Sequence, residues 1–354
     1  MANGTNGNNG IRHVNLALQG GGAHGAFTWG VLDRLLEEDG LSIEGVSGTS
    51  AGAMNGAVML SGYSKGGKEG ARRALDAFWE AISQYSPIGL VHRSPFDQMT
   101  GNWNTDQSPS VVAFEALFNM VSPYQLNPTN FHPLRPIIEE LVDFEALQTC
   151  PHMKLFVSAT NVRTGRNHIF GHKTLTPDAL IASACLPTLF QSVVIDGDPY
   201  WDGGYTGNPA LYPLVYGCAS RDIAVVQVNP IERPGVPMTS GEIMNRLNEV
   251  TFNFSLMAEM RAIAFVQRLI EEDQLKGHEI NRLRRIHVHM IGDEDAMLSL
   301  GMSSKYNIDY EFLSYLKELG RKCAGHWLSA HWDDLGKRSS IDIRKIFLGE
   351  VENG

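Results

Sequence analysis

Ile43-Glu44-Gly45-Val46-Ser47-Gly48-Thr49-Ser50-Ala51-Gly52 is the stretch whose reading decides the architecture of this chain. Ile43 to Val46 reads as a short strand, Ser47 to Ser50 as a turn, and Ala51 to Leu60 as a helix of mostly small residues. A G-x-S-x-G sequence between strand and helix can raise a serine hydroxyl above a sheet, while the two glycines relieve crowding where the helix returns past the strand. The same pattern in isolation also suits a structural turn. Its placement favours a nucleophile at Ser50.

The pattern has a precedent upstream. Val14 to Leu18 reads as a buried strand, stops at Gln19-Gly20-Gly21-Gly22, and is followed by Ala26, Phe27, Val31, Leu32, Leu35 and Leu36 at helical spacing. Two consecutive strand–turn–helix units predict an α/β layer with a largely parallel sheet, because each crossover must return over a sheet face. A helix-like stretch from Lys68 to Ile82 extends that layer.

The turn Gly20-Gly21-Gly22-Ala23-His24-Gly25 allows three readings. Its exposed backbone N–H groups could receive the oxyanion formed when Ser50 attacks an ester carbonyl. It could cradle a dinucleotide phosphate, since Gly20, Gly22 and Gly25 fit the bare G-x-G-x-x-G spacing. It could also be a structural turn. The nucleotide reading is weakened by the next strand, which leads directly to Ser50 and places Glu44 before its end, where a ribose-binding acid would be expected later.

Farther along, Ser86 to Pro136 is broken by prolines at 87, 95, 109, 123, 128, 133 and 136, and it carries Trp103, Phe114, Phe118 and Tyr124. It reads as an irregular excursion with one amphipathic helix around Ser110 to Met120, either a surface belt over core or a cap over an apolar groove. Then come a helix at Pro136 to Val142, strands at Lys154 to Ala159 and His168 to Phe170, and a helix at Pro177 to Cys185. Ser192 to Ile195 and Pro199 to Trp201 look like hairpin arms, and Ile223 to Val228 is another buried strand. From Ser240 a helix with Leu256, Met260, Ile263, Val266 and Ile270 on one face runs to about Gln274. A strand at Ile286 to Met290, expected to join the main sheet, precedes helices at Tyr310 to Leu319 and Arg321 to Ala330. The expected division is a flexible leader at 1–10, an α/β body at 11–235 that includes the 86–136 excursion, and a mainly helical extension at 236–354 packed on the body.

A nucleophilic serine needs a base. Asp202, in Trp201-Asp202-Gly203-Gly204, follows a hairpin arm and precedes flexible glycines, although such a residue is by itself more often part of a turn. Asp196 and Asp198 are better explained as the turn of that hairpin. Of the 12 histidines, His278, His287, His289, His326 and His331 follow Asp202, but none sits in a distinctive loop motif. A Ser/Asp dyad is therefore the simpler constellation. No close His/Cys/Asp cluster has metal-ligand spacing, and no metal or cofactor is expected.

Composition narrows the function classes. Subtracting 39 acidic from 29 basic residues leaves a net charge of -10, which disfavours nucleic-acid binding and electrostatic adsorption to anionic lipid. A 43% hydrophobic content is enough for a sizeable core. Cys150, Cys185, Cys218 and Cys323 are scattered as reduced thiols would be, the N-terminal residues lack a secretory pattern, and no run of about 18 apolar residues is present. The expectation is a cytoplasmic protein, with the sequons at Asn3 and Asn253 as chance matches.

Together, Gly20-Gly21-Gly22-Ala23-His24-Gly25, Gly48-Thr49-Ser50-Ala51-Gly52 and Asp202-Gly203-Gly204, in that order, resemble the patatin-like phospholipase family, particularly bacterial proteins with a C-terminal helical extension. Ala182-Ser183-Ala184-Cys185-Leu186-Pro187 and Gly207-Asn208-Pro209 add to the likeness, which covers roughly residues 11 to 210. The resemblance implies a three-layer α/β/α fold with a mostly parallel central sheet, Ser50 as nucleophile, Asp202 as base, and an oxyanion hole at Gly21, Gly22 and Ala23. It implies hydrolysis of lipid acyl esters, of phospholipase A or lysophospholipase type, through an acyl-enzyme. The implied partner is an acyl lipid or hydrophobic ester, met in transient contact with a membrane surface. An intracellular polyester or thioester hydrolase and a noncatalytic lipid-binding regulatory protein are the alternatives. The family often carries Arg or Lys where this chain has His24, a departure that bears on headgroup preference and local electrostatics.

Overall fold

Alternation along the central strands sorts side chains between two cores. In β1 (Arg12–Leu18), Val14, Leu16 and Leu18 enter one core while Ala17 enters the other, and in β7 (Asp222–Val226), Ala224 and Val226 part from Ile223 and Val225 in the same way. Both faces are covered, so apolar side chains fill both faces of these strands rather than alternating with solvent-facing polar ones. The computed structural model describes residues 10–85, 103–104, 120–272 and 283–349.

Among the described residues the sheet has eight strands: β1, β2 (Leu41–Thr49), β3 (Lys154–Asn161), β4 (Asn167–Gly171), β5 (Val193–Ile195), β6 (Asp198–Asp202), β7 and β8 (His287–Ile291). Their order is β5-β6-β3-β2-β1-β7-β8, with β4 also paired to β3. The run β3-β2-β1-β7-β8 is parallel, and β4, β5 and β6 pair antiparallel. Asp196 and Gly197, both at positive φ, close the β5–β6 hairpin, with Asp196 in the turn as expected and Asp198 already the first residue of β6.

On one face lie α1 (Gly25–Leu36), α2 (Ala51–Gln84) and the Tyr310–His331 helix. On the other lie the Tyr212–Gly217 and Ser240–Glu271 helices. The result is a three-layer α/β/α architecture. Burial of Phe27, Val31, Leu32 and Leu35 on α1 contributes about 1.5–3 kcal/mol per side chain.

Two sequence expectations need correction. Ser47, Gly48 and Thr49 belong to β2, so the turn expected over Ser47 to Ser50 contracts to Ser50 itself. The helices expected at Ala51 to Leu60 and Lys68 to Ile82 are both present within α2, separated where Gly66 and Gly67 leave helical geometry. Tyr310 to His331, by contrast, is one helix rather than two. Gly320 does not break it but serves a crossing: a Cβ there would overlap the carbonyl of Phe27, and one on Gly30 would overlap the carbonyl of Lys317. Two backbones in direct contact require glycine on both sides. Arg72 and Arg321 both bond Asp33, joining α2 and this helix to α1.

The C-terminal part thus enters the body twice, through β8 beside β7 and through the helix crossing α1. The helix expected at Ser110 to Met120, and the 86–136 excursion apart from 103–104 and 120–136, lie outside the described residues. Within them, Trp103 packs on Phe312 and Tyr315, and Asn104 bonds the backbone of Ser299 and Gly301.

Candidate active site

β3 is the template of the site. It carries β4 on one edge, so β2 and β6 must share the other, and they do so end to end: Thr49 faces Ser158 and Asp202 faces Ala159. The last residue of β2 and the last of β6 therefore oppose neighbouring residues of one strand. Ser50 follows Thr49 directly, so two residues 152 positions apart in the chain meet at the C-terminal edge of the parallel strands.

Ser50 stands at φ 51°, ψ -121°, a conformation foreign to most side chains, before α2 starts at Ala51. Such a backbone costs on the order of 1–3 kcal/mol and persists only where surrounding structure enforces it. Here a Cβ on Gly48 would come within 2.6 Å of the Gly52 carbonyl oxygen, and one on Gly52 would overlap the carbonyl of Leu18. The Ser50 N–H donates to Ser183 Oγ at 2.9 Å, and the Ser50 side chain lies near enough to Asp202 to pull its carboxyl down.

Asp202 is almost fully buried. Its N–H donates to the Cys185 carbonyl at 2.8 Å, and its Oδ1 accepts from the Gly204 N–H at 2.7 Å. Burial pushes the carboxyl up to about 7, against the pull of the Gly204 N–H, the Ser50 hydroxyl and the Lys305 charge. A buried carboxylate that ionises near neutrality beside a serine can serve as the base for its hydroxyl.

The glycine loop lies against the same serine. A Cβ on Gly20 would fall 2.9 Å from Ser50 Cβ, and the Gly20 N–H is already committed to Asn208 Oδ1 at 2.6 Å. Gly21, Gly22 and Ala23 follow at the approach to α1, where backbone N–H groups precede the helical ladder. Gly22, at φ 59°, packs against the carbonyl of Lys305. Gln19 fixes the loop from below: Oε1 accepts from the N–H groups of Val228 and Asn229 at 2.9 and 3.0 Å, and Nε2 donates to Asn253 Oδ1 at 3.0 Å.

Sequence reasoning assigned no part to Ser183, Asn208, Asn229 or Lys305. Ser183 and Asn208 fall in stretches quoted for the resemblance, which was the available signal. Asn229 and Lys305 lie in stretches with no motif, and only folding brings them to the loop.

The histidines lie elsewhere. His287 and His289 face Asp222, which opens β7 at the opposite end of the parallel strands from Ser50. His331 bonds Asp334. His24 is buried against Ser304 Oγ at 2.7 Å, and burial, with the Lys305 charge, drives its imidazole down to about 3. It is neutral at working pH. His278 lies outside the described residues. Among the described residues, no group of three or more His, Cys, Asp or Glu could hold a metal ion.

The profile of the patatin-like phospholipases matches residues 16–215, more than half of the chain, and takes in the glycine loop, Ser50 and Asp202. The chain belongs to the patatin-like phospholipase family. Its patatin-like segment is followed by additional C-terminal helices and by β8. The crystal structure of VipD from Legionella pneumophila is similar at a TM-score of 0.39 and 15% identity, over 91% of this chain and 67% of that one. No curated protein matches. Patatin-like membership makes the protein a hydrolase of the lipid-ester class.

Proposed function

We propose that the protein is a serine acyl hydrolase of the bacterial patatin-like type, cleaving lipid acyl esters as a phospholipase A or lysophospholipase through Ser50 and Asp202. The observation that carries this reading is the placement of Ser50 on a positive-φ turn directly after Thr49, with Asp202 facing the neighbouring residue of β3 and buried there. Asp202 takes the Ser50 proton as Oγ attacks the acyl carbonyl, and the N–H groups of Gly21, Gly22 and Ala23 receive the oxyanion. Collapse expels the alcohol, which takes the proton back from Asp202, and leaves an acyl-Ser50. Water then gives a proton to Asp202 as it attacks the acyl carbon, and collapse breaks the bond to Oγ, releases the fatty acid and returns that proton from Asp202 to Ser50.

Such a substrate lies in a lipid surface, so peripheral contact from the cytoplasm belongs to the same proposal. No helix among the described residues is long and apolar enough to cross a membrane. Ile243, Leu247, Val250 and Phe254 stay exposed at positions i, i+4, i+7 and i+11 of the Ser240–Glu271 helix. They line one face of the helix whose Phe252 and Asn253 pack into the site.

Acyl release from diacyl and lysophospholipid vesicles, beside a panel of soluble esters of rising chain length, tests the reading. Fatty-acid release that disappears in Asp202→Asn supports it. Release that survives there at the parent rate removes Asp202 as the base.

A further inference from the structure

Outside the patatin-like segment, the turn Met302–Tyr306 closes over the glycine loop. The Lys305 carbonyl abuts Gly22, and Ser304 Oγ holds His24. The Lys305 ammonium donates to Asn229 Oδ1 at 2.9 Å and Asn248 Oδ1 at 2.7 Å, so its direct partners are neutral amides. Each contact leads into the site. Asn229 donates in turn to the Gly20 carbonyl at 2.9 Å, behind Ser50. The ammonium also stands 5.5 Å from the centre of the Phe252 ring, and that ring packs on Gly204, whose N–H holds Asp202.

We propose that Lys305 is a positioning residue of the Ser50–Asp202 pair: its turn braces the glycine loop beside Ser50, and its ammonium, held by Asn229 and Asn248 near the Phe252 ring, supports the Gly204 turn that holds Asp202. The proposal rests on the reading of Ser50 and Asp202 given above. The groups facing this pair of charges come from several elements. Burial, and after it the Asp202 charge, pushes both Cys185 and Tyr205 up to about 12, so they stay neutral. His24 is neutral. Glu249, on the Ser240–Glu271 helix, also attracts Lys305 but is itself bonded by Arg233 and Arg246. Lys305 is thus the cation that acts on Asp202 among the described residues. Burial lowers the ammonium to about 8, so its support fades on the alkaline side, where Asp202 ionises without it.

Because the parent site has a neutral histidine at position 24, the positive charge beside the loop comes from the C-terminal part of the chain. An opposite charge nearby depresses a carboxyl, and the Phe252 ring that packs on Gly204 links this ammonium to the turn holding Asp202. The test is the rate of Ser50 labelling by a fluorophosphonate as a function of pH, in the full-length parent, Lys305→Met, Lys305→Arg and Asn248→Asp. In the parent the rate rises through a midpoint near 7. Lys305→Met moves that midpoint up by about one unit, slowing labelling roughly 10-fold at pH 6 and little at pH 9. Lys305→Arg keeps the parent midpoint. Asn248→Asp sets a carboxylate on the ammonium and moves the midpoint in the same direction as Lys305→Met without removing the lysine stem, so it carries the test if Lys305→Met does not fold. Folded variants whose midpoints coincide with the parent's overturn the role of Lys305. A parent that takes no label at Ser50 overturns the underlying reading instead.

Discussion

Thr49 and Asp202 face consecutive residues of one strand, Ser158 and Ala159 of β3. This register, rather than any flexible reach of a loop, brings the serine after β2 to the carboxylate that ends β6. A pair of side chains set on strand ends is rigid, and its geometry is fixed by the same backbone bonds that stabilise the sheet.

The pH dependence of both activity and stability follows from Asp202. Its carboxyl is raised in the fold to about 7 from an ordinary value near 4. A raised carboxyl favours the folded state fully below the unfolded value, and that contribution is lost as pH climbs through about 7. Asp202→Asn is therefore expected to lower kcat by about 10²–10⁴-fold, yet to melt above the parent at pH 8, with the difference vanishing by about pH 4. Thermal melts of both proteins across that range check the sign.

Within the glycine loop, two substitutions separate catalysis from folding. Gly22 has a positive φ and abuts the Lys305 carbonyl, so Gly22→Val is expected to lose stability and turnover together. Gly21 is extended, and a Cβ there meets a Val228 methyl at 3.0 Å. Gly21→Ala is expected to lower kcat by about 10-fold or more while shifting Tm only slightly. Kinetics and melting curves on the same preparations distinguish the two.

At the helix crossing, Gly320→Val drives a side chain into the Phe27 carbonyl. The expected cost is about 1–3 kcal/mol or more, read as a lower urea midpoint. Gly325→Val, at a site with only the Arg34 side chain at 3.9 Å, is expected to leave the midpoint close to the parent's.

On the exposed face of the Ser240–Glu271 helix, Leu247→Glu with Phe254→Glu is expected to reduce acyl release from vesicles at least several-fold, since each charge opposes entry into a lipid surface. Turnover of a soluble short-chain ester should stay at the parent rate. Equal losses on both substrates would remove this face from lipid contact.

Legibility in the sequence followed the range of the interactions. β1, α1 and the β5–β6 hairpin were readable because apolar periodicity and turn residues are local signals. Ser50 was readable because the strained turn needs Gly48 and Gly52 at fixed offsets. Gly320 was misread, because a glycine that permits a helix crossing looks in one dimension like a glycine that ends a helix. Ser183, Asn229 and Lys305 support the site through bonds to distant residues, and no spacing rule encodes such bonds.

The most direct test of the account is covalent labelling with a fluorophosphonate, with the adduct mapped by peptide mass spectrometry in the parent, Ser50→Ala and Asp202→Asn. The account predicts one adduct, on Ser50, slowed sharply in Asp202→Asn and absent from a Ser50→Ala protein whose circular dichroism matches the parent. An adduct on a different residue, or ester turnover that persists undiminished in Ser50→Ala, would contradict it.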